Sequence, residues 1–92
     1  MDVALESSEA AILDRVIRPE AAGWPRSAAE AILGISFAQK DRERMSLLLE
    51  KAKNGNLPPA EAVEAEHYRH VGRLLELLKS RARHSLRNRA AL

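Results

Sequence analysis

Three kinds of side chain in this chain of 92 residues could do chemistry: histidines beside glutamates, serines, and a run of bases at the carboxyl end. Glu64-x-x-His67 has the spacing that carboxylate-bridged di-metal bundles use. Such a site needs a second copy of the motif on another helix, and none exists; His70 and His84 lie farther along the same stretch. Three or four convergent ligands are the minimum for a stable metal site, so no metal and no cofactor is expected. Glu66 and His70 read instead as an i, i+4 surface pair. The serines fall at helix caps (Ser7, Ser8, Ser27, Ser36) or on helix surfaces (Ser46, Ser80, Ser85), and none stands in a Gly-x-Ser-x-Gly elbow. The four glycines are scattered, so no loop cradles a phosphate. Without cysteine, thiol catalysis, thiolate metal sites and disulfides are excluded. The expectation is a non-enzymatic protein with no small-molecule substrate.

The bases are the remaining candidates. Net charge is only +2, but residues 1–46 hold eight acids against six bases and residues 47–92 five acids against nine bases. Lys79, Arg81, Arg83, Arg87 and Arg89 run to the end with no acid among them. On a helix they spread over a broad arc that could neutralise phosphates or meet an acidic protein, or complement the negative end of the helix dipole. No aromatic side chain interleaves them, so stacking on single-stranded bases is not supported. A membrane surface is a weaker fit, because no Trp or Phe anchors that face.

These side chains need elements to hold them. Ala, Leu, Glu and Arg are abundant, Val and Ile are sparse and Thr is absent, which is the composition of helices. The fold expected is all-α: three shorter helices on one long C-terminal helix, a single domain over 1–92 with a helical-hairpin core, a loop at 19–26 and a basic helical tail at 79–92. A first helix spans about Leu5–Ile17 on the stripe Leu5, Ile12, Leu13, Val16, Ile17, capped by Ser7 or Ser8 and ended before Pro19. Trp24, in the loop, reads as a lid over the core. Ser27 with Glu30 looks like a capping box for a helix over Ala28–Leu33 that stops at Gly34. Ser36 with Gln39 repeats the device for a third helix, which reaches about Lys53 with Met45, Leu48, Leu49 and Ala52 on its apolar face. Asn54-Gly55 ends it.

Pro59 opens the last helix in the first turn, where a missing N–H costs nothing. About 30 residues follow without a breaker apart from Gly72, roughly 45 Å at 1.5 Å per residue. That is more than a small body covers. Tyr68, Val71, Leu75, Leu78, Ala82 and Ser85, widened by Leu74 and Leu86, form a seam of 3-4-3-4-3 spacing. It either packs on the other helices or meets a partner, as a homodimer or a foreign protein, through an overhanging end. Gly72 inside it costs about 1 kcal/mol relative to Ala, which close approach of another helix would explain. No apolar run reaches the roughly 20 residues of a membrane span, and Met1-Asp2-Val3-Ala4-Leu5-Glu6 is acidic where a signal peptide is basic. The expected compartment is the cytoplasm.

From about Leu13 to Leu86 the chain resembles a group of small, uncharacterised bacterial all-helical proteins. The shared residues are Arg15-Val16-Ile17-x-Pro19, Ser27-Ala-Ala-x-Ala31-Ile32-Leu33, Asp41-x-x-Arg44-Met45, Lys51-Ala-Lys53-x-Gly55-x-Leu57-x-Pro59 and Tyr68-x-x-Val71-Gly72-x-Leu74-Leu75-x-Leu77-Leu78-Lys79-Ser80-x-Ala82-Arg83. Pro58 departs from the group, which usually has a threonine cap there. The group is often encoded beside an HNH-type endonuclease. The resemblance therefore implies an antitoxin-like or regulatory companion of a nuclease, with a protein partner and no catalytic residue. The alternative is a small nucleic-acid-binding protein that uses the basic end.

Overall fold

A computed structural model describes residues 7–18 and 23–90, the side chains of 89 and 90 excepted. Among them are four helices and no strand: α1 (Glu9–Ile17), α2 (Arg26–Leu33), α3 (Gln39–Lys53) and α4 (Pro59–Ala90). The chain divides into two compact units, residues 36–72 and residues 1–35 with 73–92. α4 belongs to both. Its first 14 residues pack with α3 and the rest with α1 and α2.

The termini show which sequence signals operated. Ser8 caps α1, its Oγ accepting from the Ala11 N–H at 3.1 Å. The predicted start at Leu5 and the stop at Pro19 lie outside the described residues. α2 begins two residues earlier than the capping-box reading. Pro25, at φ −53° and ψ 144°, is the residue before the helix, and no side chain caps it. Ser27 is therefore inside the first turn, and Glu30 bonds Arg26 Nε at 2.8 Å instead of closing a box. Ser36 is not a cap either. α3 waits until Gln39, with Ala38 before it in extended geometry. The delay leaves Phe37 in the connecting segment, where its ring meets Tyr68 with centroids 6.1 Å apart. Gly34 ends α2 in right-handed geometry, its N–H reaching the carbonyls of Glu30 and Ala31. Gly55 does adopt the left-handed conformation, at φ 70°. α4 begins at Pro59 and runs 32 residues without a break at Gly72.

In the α1–α2 unit the wholly buried residues among those described are small: Ala29, Ala82 and Ser85. The Ser85 hydroxyl accepts from the Trp24 N–H at 2.8 Å and donates to the Trp24 carbonyl at 3.3 Å. Gly23 sits so close that a Cβ there would stand 2.7 Å from Ser85 Oγ, and its φ is +75°. The Trp24 segment is thus clasped through its backbone, with the indole only half-buried. α1 is joined to α4 by Asp14, which accepts from Arg81 Nε at 2.8 Å and Arg18 Nη2 at 2.6 Å. The predicted α1 stripe splits. Leu13 and Ile17 are half-buried, while Ile12 and Val16 are exposed, Val16 at 74%.

Candidate docking surface

Residues 36–72 form a helical hairpin whose two flanks differ in chemistry. The reversal is made by Gly55 and by bonds from the Gly55 and Asn56 N–H groups to the carbonyls of Ala52 (3.1 Å) and Lys51 (2.8 Å). Pro59 then restarts the chain with its φ already suited to a helix. α3 and the start of α4 therefore run antiparallel, and the cross-helix pairs follow that order: Lys51 with Glu61, Arg44 with Glu64, Asp41 with Tyr68.

Along one flank these pairs make a closed polar ladder. Arg44 grips Glu64 with two bonds, Nε to Oε2 at 2.8 Å and Nη2 to Oε1 at 2.7 Å, and reaches Glu61 Oε2 at 3.3 Å. Lys51 Nζ completes Glu61. The Tyr68 hydroxyl donates to Asp41 Oδ1 at 2.7 Å. The electrostatic consequences follow directly. The Lys51 ammonium, then Arg44, hold Glu61 below the ordinary carboxylate range. The Arg44 guanidinium does the same for Glu64. The bond to Asp41, with some desolvation, raises the Tyr68 phenol. Glu64 is thus an ion-pair member, and His67 beside it is exposed. Among the described residues no group of three His, Asp or Glu side chains could hold a metal ion. Glu66 also pairs with Arg69, at 3.2 Å.

Leu48 lies at the middle of the hairpin and is 3% exposed; it is its one fully buried apolar side chain among the described residues. The other three members of the predicted α3 face are not buried with it. Met45, Leu49 and Ala52 line an open, predominantly apolar groove of about 330 Å³, with Ala65 and Gly72 across from them. Phe37, Leu57, Tyr68 and Arg69, with Leu48 itself, complete its walls. Leu49 is 57% exposed at the lip. Gly72 does not mark the close approach of another helix. A Cβ there would meet only the edge of the Phe37 ring, at 3.8 Å.

The residues singled out from the sequence are distributed unevenly. Of the seam on α4, Ala82 and Ser85 have no exposed surface and Leu74, Leu75, Leu78 and Leu86 are half-buried. The far end is therefore covered through Leu86 rather than overhanging, which corrects the expectation of a free rod there. Tyr68 is half-buried and committed to Asp41, whereas Val71 is 50% exposed. Of the basic set, Arg81 is tied to Asp14 and Arg83 Nη2 to Glu76 Oε1 at 2.6 Å. Lys79 is half-buried, Arg87 is exposed, and the Arg89 side chain lies outside the described residues. Among the described residues no helix is long and apolar enough to cross a membrane.

The ladder and the groove were not singled out from sequence, although a signal was present. Asp41, Arg44, Leu48 and Lys51 recur at 3-4-3, and Glu61, Glu64 and Tyr68 at 3-4. Reversing one run against the other across the Asn54-Gly55 turn brings the opposite charges together. No protein-family model matches the chain, and no curated protein and no solved structure is significantly similar to it.

Proposed function

We infer that the chain is a non-enzymatic helical protein-interaction module that docks through the α3–α4 hairpin. The observation that carries this reading is the groove: an apolar trough with Leu49 standing open at its lip. An apolar trough between two helices is the kind of surface that a partner helix fills. A hairpin of this size also has little core of its own, so a partner helix would add the burial that it lacks. The companion-of-a-nuclease role implied by the sequence resemblance is one form of this reading.

The nucleic-acid alternative draws less support. Arg81 and Arg83 already meet acids of the same chain, and phosphate binding would have to compete with Asp14 and Glu76. The discriminating experiment is co-purification of the tagged chain from its native host, wild type beside Leu49→Glu. A stoichiometric protein companion retained by the wild type and lost by the variant is the expected result. A clean monomer from both, or a companion indifferent to Leu49, contradicts the docking surface.

A further inference from the structure

We propose that the α3–α4 groove takes an amphipathic helix of another protein whose apolar face is bordered by carboxylates. This rests on the interaction-module reading and adds the chemistry of the partner. The groove sets the apolar part. Met45 and Ala52 on its α3 wall are seven residues apart, about 10 Å along the axis. That length takes two or three turns of a helix carrying anchors at i, i+3 or i+4, and i+7. Ala52, Ala65 and Gly72 are small enough to let another backbone come close, and Met45 is unbranched and able to adapt to what it meets.

The rim sets the charge. Arg42, Met45, Leu49 and Lys53 recur at intervals of three and four, so they share one helix face. A base therefore stands at each end of the exposed apolar stretch. Arg69 supplies a third base from the α4 wall. The guanidinium of Arg42 donates to the Phe37 carbonyl at 2.5 Å and to Gln39 Oε1 at 2.7 Å, both neutral acceptors, so its charge is not cancelled. Arg69 has a single exposed acid, Glu66, at 3.2 Å. Of the other acids of the hairpin, Glu61 and Glu64 are paired with Lys51 and Arg44, Asp41 accepts from the neutral Tyr68 hydroxyl in the ladder, and Glu43 and Glu50 stand one position round α3 from Arg42 and Leu49, off the face that those two share. Three bases thus border the groove mouth, on a hairpin that as a whole carries six acids and six bases. Two copies placed mouth to mouth would set like charges against each other, which disfavours self-docking; a carboxylate-bordered helix meets three bases instead.

The test uses the full chain and two stapled synthetic helices of about three turns with the same apolar face, one flanked by glutamates and one by lysines, followed by fluorescence anisotropy. The glutamate helix is expected to bind roughly tenfold more tightly, a preference built from several exposed ion pairs, and the gap should shrink as salt rises. Leu49→Glu should abolish binding, and Arg42→Glu with Lys53→Glu should shift the preference toward the lysine helix. All three positions are exposed, and circular dichroism verifies that the variants stay helical. Equal binding of the two helices overturns the proposal. So does a concentration-dependent dimer dissolved by Leu49→Glu, which would make a second copy the occupant. Failure of both helices, while the wild type still retains a Leu49-dependent companion, removes the acidic-helix proposal and leaves the interaction-module reading standing.

Discussion

The two units solve the same problem, burying a face of α4, in opposite ways. The α1–α2 unit does it with small residues and backbone contact. Ala29, Ala82 and Ser85 are fully covered, and the Gly23-Trp24 segment is locked onto the Ser85 hydroxyl from both its N–H and its carbonyl. The hairpin does it with one leucine and a ladder of charges on one flank, and its other flank is left open. The clasp is closely packed around Ser85, and the cleft of about 500 Å³ elsewhere in its unit, lined by Ser8, Ala11, Arg73, Glu76 and Ser80, is wide open, whereas in the hairpin a core of one side chain beside an apolar trough has unspent burial. Under the proposed function, docking falls to the hairpin and structural duty to the clasp.

The contrast can be broken most forcefully at Leu48. Leu48→Ala should cost about 2–4 kcal/mol in urea unfolding, because no other fully buried apolar side chain supports the hairpin among the described residues. A loss below about 1 kcal/mol would mean that the hairpin core lies elsewhere. At the clasp, Gly23→Ala should cost about 2 kcal/mol. The left-handed φ penalises any L side chain by about 1–2 kcal/mol, and the new methyl would displace Ser85 Oγ. A neutral result would show that the Trp24 segment is not held as described.

Much of this organisation was readable in advance, and the failures have physical reasons. The long last helix, its start at Pro59 and the turn at Gly55 follow from local chemistry, because proline and positive φ constrain the chain whatever surrounds it. Ser8 caps for the same reason. Ser27 and Ser36 carry equally good cap spacing yet do not cap, since the Pro25 backbone and the placement of Phe37 decided where α2 and α3 begin. The α1 stripe has the spacing of one apolar face, but only Leu13 and Ile17 of its described members turn inward. The ladder depends on register between residues up to 27 apart, which no local window contains. The groove was hidden because Met45, Leu49 and Ala52 have the spacing of a core face; only the burial pattern separates them from Leu48.

Gly72→Ala sharpens the comparison in the other direction. It should stabilise the chain by about 1 kcal/mol, as alanine replaces glycine inside a helix and the added methyl meets only ordinary contact with Phe37. The same methyl fills the groove floor, so tighter folding should come with weaker docking, measured by melting temperature and peptide anisotropy on one sample. A glycine retained here for stability alone would show no such trade.

The smallest effects concern pH, because exposed ion pairs contribute little each. Asp14, held low by Arg18 and then Arg81, and Glu61 and Glu64, held low by Lys51 and Arg44, have folded pKa values below their unfolded ones. Their contributions are present above the unfolded carboxylate range and fade as pH falls through the folded values, in both units. Tyr68 is raised, so its contribution is present below the unfolded phenol range and fades as pH climbs through the folded value. Amide exchange should therefore show both units loosening in acid but only the hairpin loosening in alkali. Equal alkaline loosening of the clasp would contradict the assignment.

The most direct single measurement is amide exchange on the chain with and without the glutamate-flanked helix. Protection should rise around Met45–Ala52 and Ala65–Gly72, with Ser80–Asn88 unchanged. Protection confined to Ser80–Asn88, or absent from α3, would place the binding face on the basic end of α4 and contradict the account.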